Sequence, residues 1–374
     1  MPRLASLSSR GLTNVGVGTA VVTSPVPTWV VATKGFPATS IDVFSVTSGQ
    51  LSSSSSTLYS PLEANSVNDQ VAISPQNNFV YVPNGTKNRV EIIPVNTTTG
   101  VYTGSGFTSA STTALGTYPS NITISPDGNY AYVLFSNSFK VGIYSRNPTT
   151  GALTGISNLR DGYATAKITS DGAYLYTVLN NLIVYSRNIS TGALTLVAED
   201  FQATTNGGFA KITISSDNRS LYVADFSQNN FYCYTIDPST GLLTLAQTIN
   251  LSSFGADVRS NAVEVSSDGN HVYVALYDAN QVLGTTVVMY SRSSTAPFTL
   301  TQANVYTISG AVGEQTANLI LTKQQNLLML GVAGNAGSPI HSWTRNTLNG
   351  RLTLNADVAG FGAGIATNTG TPPA

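Results

Sequence analysis

Residues 120–154 read SNITISPDGNYAYVLFSNSFKVGIYSRNPTTGALT. A short apolar strand runs into a tight Ser-Pro-Asp-Gly turn, and an alternating strand, Tyr130-Ala131-Tyr132-Val133, leaves it. After a loop comes Val141-Gly142-Ile143-Tyr144, then a second turn, Asn-Pro-Thr-Thr-Gly at 147–151, and Ala152-Leu153-Thr154. Alternation with a period of two, bounded by Gly, Pro, Asn and Asp, marks half-buried strands joined by tight turns.

The same unit recurs down the chain. The position of Tyr132 is taken in turn by Val31, Tyr81, Tyr132, Tyr176, Tyr222, Tyr273 and Met329. The second turn recurs as NTTTGV at 96–101, NISTGAL at 188–194, DPSTGLL at 237–243 and NTLNGRL at 346–352. A repeat of roughly 40–50 residues with four strands per unit is the signature of a propeller. The expected fold is all-β: a seven-bladed β-propeller of four-stranded antiparallel blades over residues 26–367, with 1–25 as an N-terminal arm and 368–374 as a loose tail. Gly364–Thr367 is expected to supply the innermost strand of the first blade beside Trp29–Ala32, in competition with Ala20–Thr23. The serine run at 52–56 falls at the outer edge of that blade.

Composition narrows the function. Charged residues make up 9% of the 374 and the formal net charge is −1, which leaves no basic face for nucleic acid. The one cysteine, Cys233, lies in the strand Phe231-Tyr232-Cys233-Tyr234, where a small buried side chain is the expected role. The two histidines fall in strands, His271 at the start of one and His341 beside Ser342-Trp343, so neither metal nor cofactor is expected. No apolar run reaches the length needed to span a bilayer, and the N-terminus does not read as a cleavable signal.

The SPDGxxxYV stretch at 125–133 with its copies, and the YSRNxxTGALT runs at 144–154 and 185–195, resemble the seven-bladed lactonase-like propellers. That family includes 6-phosphogluconolactonases and carboxymuconate cycloisomerases. The resemblance covers residues 28–367 and implies the fold. It also implies a site of His, Arg and Glu at the loop-rich mouth, with His following a proline at the start of an innermost strand. Here Ser120-Asn121 follows Pro119, and no such strand begins with His.

In a four-stranded meander the long, variable connections share one face of the disc, and binding is expected there. The innermost strands bring Asp69, Gln70, Asn121, Lys211 and Asn318 to that mouth. Lys167 and Glu264 sit one step deeper as a charge pair, and Glu264 or Asp225 is the available acid–base group. Low charge, the missing mouth histidine and the extra terminal segments lead to the expectation of a non-catalytic scaffold on the outside of a larger assembly, such as a virion or surface layer. Its partners would be other protein subunits, met through the arm and the loop-rich face, with no lactone hydrolysis. The alternatives are a lactonase or cycloisomerase with an altered site, and a glycan- or small-ligand-binding propeller.

Overall fold

The computed structural model describes residues 28–34, 40–47, 50–52, 56–59, 71–104, 108–160, 165–178, 181–201, 210–278, 280, 283–308, 315–322, 326–333, 339–358 and 365–367. Seven antiparallel sheets form one ring. The strands of a blade are lettered A to D from the axis outwards. Blade three comprises Pro119–Ile124, Tyr130–Phe135, Lys140–Arg146 and Leu153–Arg160. The A strands of the other blades are Ala72–Ile73 in blade two, Thr165–Ile168 in four, Ala210–Ile214 in five, Val258–Val265 in six and Gln315–Leu321 in seven. Each A strand contacts the next around the axis, so the ring has no open gap. Among the described residues no helix is long and apolar enough to cross a membrane.

Closure follows the expected route. Val30, Val31 and Ala32 of the first blade's B strand pair with Thr367, Ala366 and Ile365. Residues near opposite ends of the chain therefore complete one blade, which leaves the ring without a free inner edge. The outer strand of this blade is in two pieces, Gln50–Leu51 and Ser56–Tyr59, both paired to Ser40–Thr47. Ala20–Thr23, the arm 1–25 and the tail 368–374 lie outside the described residues.

Apolar side chains project from both faces of the B and C strands because each blade is sandwiched between two others. The cluster joining blades two and three holds Tyr81, Val90, Ile92, Val133, Phe135 and Tyr144, all fully or almost fully buried. Similar clusters fill the other interfaces. Cys233 is buried in one of them, and burial pushes its thiol up to about 12, so it fills space as expected.

The two repeated turns explain why the tyrosine column recurs. In the A–B turn of blade three, Asp127 accepts hydrogen bonds from Ser125 Oγ (2.6 Å) and Asn129 N (2.8 Å). In the C–D turn, Asn147 Oδ1 accepts from the backbone of Thr149 and Thr150, and Gly151 closes the turn at φ +74°. A Cβ on Gly151 would also stand 2.6 Å from the Phe79 ring of the preceding blade, so only glycine fits. That close approach lets Tyr81 OH of blade two donate to Gly151 O at 2.9 Å. Tyr132, Tyr176 and Tyr273 make the same bond to Gly192, Gly241 and Gly350. Arginines at the ends of three C strands complete the latch: Arg146, Arg187 and Arg345 donate through Nε to Tyr81, Tyr132 and Tyr273. The column is thus a chain of inter-blade latches, a role that core packing alone does not convey.

Candidate functional site

Strand pairing sets which residues share a depth around the axis. The latch column pairs with Ala366, Ala72, Thr123, Lys167, Thr213, Glu264 and Ile320 in blades one to seven. These residues form one level of the axial channel. Ala72, Thr123, Lys167, Glu264 and Ile320 are half-buried and Thr213 is buried. On innermost strands, flanked on both sides by neighbouring blades, the remaining exposure is toward the channel.

Lys167 and Glu264 therefore share this level, as the sequence leads one to expect, with Thr213 on the blade between them. Asn121, Thr165, Lys211 and Asn318 pair two residues further along the B strands, with Leu134, Val178, Ala224 and Gly331, and form the next level toward the mouth. Asp69 and Gln70 lie outside the described residues. The connections at the mouth, which the sequence places at 248–260, 276–286 and 303–316, are shorter: strands run to Asn250, Asp278 and Ile308 and resume at Val258, Thr285 and Gln315.

Three A strands are irregular at the mouth. The register shifts at Ser120 in blade three, Asn261 in blade six and Ala317 in blade seven. Bulges of this kind re-aim side chains and gather beside active sites. The one at Asn261 has a specific effect. Arg259 precedes Glu264 by five residues, which in a regular strand would put them on opposite faces. With Asn261 left out of the pairing, Arg259 pairs with Tyr277 and Glu264 with Tyr273, four residues apart on strand B, so both occupy the same face. Sequence reading missed Arg259 because alternation counts every residue and nothing in RSNAVEV announces the extra one.

Arg259 is held at the mouth by a hydrogen bond from Nη1 to Phe226 O (3.2 Å), with its guanidinium 5.8 Å from the centre of the Phe226 ring. Phe226 in turn packs on Tyr277, ring centres 4.9 Å apart. Beside it Asp225 is wholly buried, its Oδ1 accepting from Ser227 N and Oγ at 2.8 Å each. Burial raises its pKa against the pull of Ser227 and Arg259.

Glu264 has the environment of an acid–base group. The residues that follow this level on the innermost strands, Ile73, Ile124, Ile168, Ile214, Val265 and Leu321, belong to the inter-blade cores. Removal from water pushes the Glu264 carboxyl up to about 7, opposed by the positive charge of Lys167 and by a hydrogen bond from Val265 N at 3.3 Å. A carboxyl poised there takes and returns a proton at neutral pH.

The histidines sit away from this ring. His271 Nδ1 bonds Arg345 Nη2 (3.0 Å) in the latch between blades six and seven, and His341 Nδ1 bonds Asp357 (2.8 Å) on strand C of blade seven. Among the described residues no group of three or more His, Cys, Asp and Glu is arranged to hold a metal.

The family model that matches the chain is described as lactonase, 7-bladed beta-propeller, over residues 38–168 and 167–310. No curated protein sequence matches. Among solved structures, a putative 6-phosphogluconolactonase from Bacteroides fragilis superposes with a TM-score of 0.72 at 16% identity, covering 92% of this chain and 99% of its own. A protein from Lactobacillus plantarum gives 0.72 at 15%, covering 91% and 99%. The periplasmic gluconolactonase of Pseudomonas aeruginosa gives 0.71 at 15%, with the same coverage. At such identities the superpositions establish the fold, and the family match carries the further weight. It overturns the expectation of a non-catalytic scaffold on a virion or surface assembly, which rested on low charge and an absent histidine. Both are features of composition and of one position, whereas the match runs through most of the blades. The chain belongs to the lactonase family of seven-bladed β-propellers.

Proposed function

We propose that this protein is a lactonase-type hydrolase that opens a cyclic ester in the axial channel, with Glu264 as general base. The observation that carries the reading is the placement of Glu264 and Lys167 on one level of the innermost strands of a lactonase-family propeller, where burial raises the carboxyl to about 7. Glu264 takes over the task that the family resemblance assigns to a mouth histidine.

In the reaction the Glu264 carboxylate removes a proton from water as the water oxygen attacks the lactone carbonyl. The carbonyl π pair moves onto oxygen, and the positive charge of Lys167 at the same level stabilises that oxyanion. Collapse of the tetrahedral intermediate breaks the ring C–O bond. The departing alkoxide recovers the proton from Glu264 and leaves as the hydroxyl of a hydroxy acid. Arg259, brought to the same face by the bulge, holds the polar end of the substrate at the mouth.

Proton release from a panel of five- and six-membered lactones, measured against the spontaneous rate, tests this. Glu264→Gln should lower kcat/KM by about 10²–10⁴-fold. The rate in the parent enzyme should rise with pH through about 7, as the base ionises. Parent protein indistinguishable from buffer across the panel refutes the proposal.

A further inference from the structure

The channel level that holds Glu264 is not polar all the way round. Blades three to six contribute Thr123, Lys167, Thr213 and Glu264. Blades seven and two contribute Ile320 and Ala72. Blades seven and two flank blade one in the ring, so Ile320 and Ala72 lie on the side of the level away from the hydrogen-bonding groups of blades three to six. Ile320 is half-buried against the core shared by blades seven and one, and Ala72 against that of blades two and three.

We infer that the site is specific for lactones with a hydrocarbon side, meaning rings bearing hydrogen or an alkyl group opposite the ester, over polyhydroxylated sugar lactones. The inference rests on the lactonase reading and adds the substrate class to it. A six-membered ring placed with its ester between Lys167 and Glu264 turns its far carbons toward Ile320 and Ala72. Hydroxyls on those carbons would be stripped of water against side chains that neither donate nor accept, a loss each hydroxyl has no means to recover. A methylene or alkyl group in the same place is removed from water favourably. The mouth level with Asn121, Lys211 and Asn318 is polar, so the discrimination operates only at the depth where the ester reacts.

The experiment compares kcat/KM for δ-hexalactone and glucono-δ-lactone with the full chain, each corrected for spontaneous opening. The alkyl lactone should lead by about tenfold or more, the scale on which a hydrophobic pocket separates ligands. Ile320→Thr and, separately, Ala72→Ser should each shrink the preference severalfold while leaving the pH dependence set by Glu264 in place. Two substitutions on different blades guard against one that disturbs folding, which far-ultraviolet circular dichroism of each variant monitors. Enzyme that turns over glucono-δ-lactone as well as or better than the alkyl lactone overturns this inference and leaves the hydrolase intact. Activity toward neither compound removes both.

Discussion

Replacing Glu264 with Gln should make the protein more stable above neutral pH while removing the proposed lactone hydrolysis. A carboxyl whose folded pKa is about 7 against 4.5 ordinarily binds protons more tightly in the native state than in the unfolded chain. Where the native state holds the extra proton, stability falls as pH rises, so the penalty grows from about pH 4.5, is complete just above pH 7, and stays constant beyond. At full weight the shift corresponds to about 3 kcal/mol. The group is only half-buried in a channel open to water, which screens part of the effect, so about 2 kcal/mol is the working figure. Gln keeps the shape and hydrogen-bonding capacity without ionising, and the gain should appear at pH 8 and nearly vanish at pH 5. Equilibrium urea denaturation of both proteins at the two pH values reads this directly as a shift in midpoint at constant slope. Parent and variant with equal midpoints at pH 8 would show that Glu264 ionises without cost. Burial would then not be desolvating it, and the case for a base poised near neutrality would fail with it.

The latches make a second prediction. Tyr132→Phe removes a bond to Gly192 O and leaves the buried Arg187 Nε without its acceptor, both at 2.8 Å, and should cost about 2–4 kcal/mol by urea denaturation. Tyr144→Phe, at an equally buried hydroxyl with no hydrogen-bond partner, should change the same midpoint little or raise it; equal losses at the two sites would deny the latch its role. A third concerns acid. His271 is held below its ordinary pKa by burial and by Arg345, with Asp268 pulling the other way. Its neutral form is therefore the native one, and stability is complete above about pH 6.5 and lost as pH falls below it, where the unfolded chain takes up the proton first. His271→Phe should flatten that acid limb, and an unchanged limb would place its origin elsewhere.

The blade architecture was legible because each blade repeats the same local chemistry. Ser-x-Asp-Gly and Asn-x-x-x-Gly fix turns through bonds among near neighbours, so four or five residues determine each one, and the strands between them alternate plainly. Closure through 365–367 was legible too, since an apolar strand after a glycine-rich segment matches the other A strands. The site was only partly so. Lys167 and Glu264 fall on one level because their strands are regular up to that point, and counting residues suffices. Arg259 was hidden by the bulge at Asn261, a pairing irregularity that has no residue signature in this strand. The expectation of a scaffold failed for a different reason: it rested on low charge, extra terminal segments and one missing histidine, whereas the family match draws on the pattern of whole blades.

The departures from the repeat gather at blade six. Its C–D turn, SSTAPF, lacks the glycine of the other turns, and Phe298 takes the left-handed conformation at φ +57° instead. Tyr222 of blade five consequently has no glycine carbonyl to reach, and Arg292 turns to Ser220 Oγ and Asp217 in place of the tyrosine. The same blade carries the bulge at Asn261, the re-aimed Arg259 and the desolvated Glu264. Consistency among local signals is what specifies a repeat fold, and positions that break it are where selection acts on something other than folding. Among the described residues four tyrosine latches join the blades, and the missing one at Tyr222 is tolerated because the apolar cluster between blades five and six still holds those two in register. That tolerance is what allows one blade to carry a half-buried ionisable group in the channel: the cost is local, and the closed ring distributes the constraint.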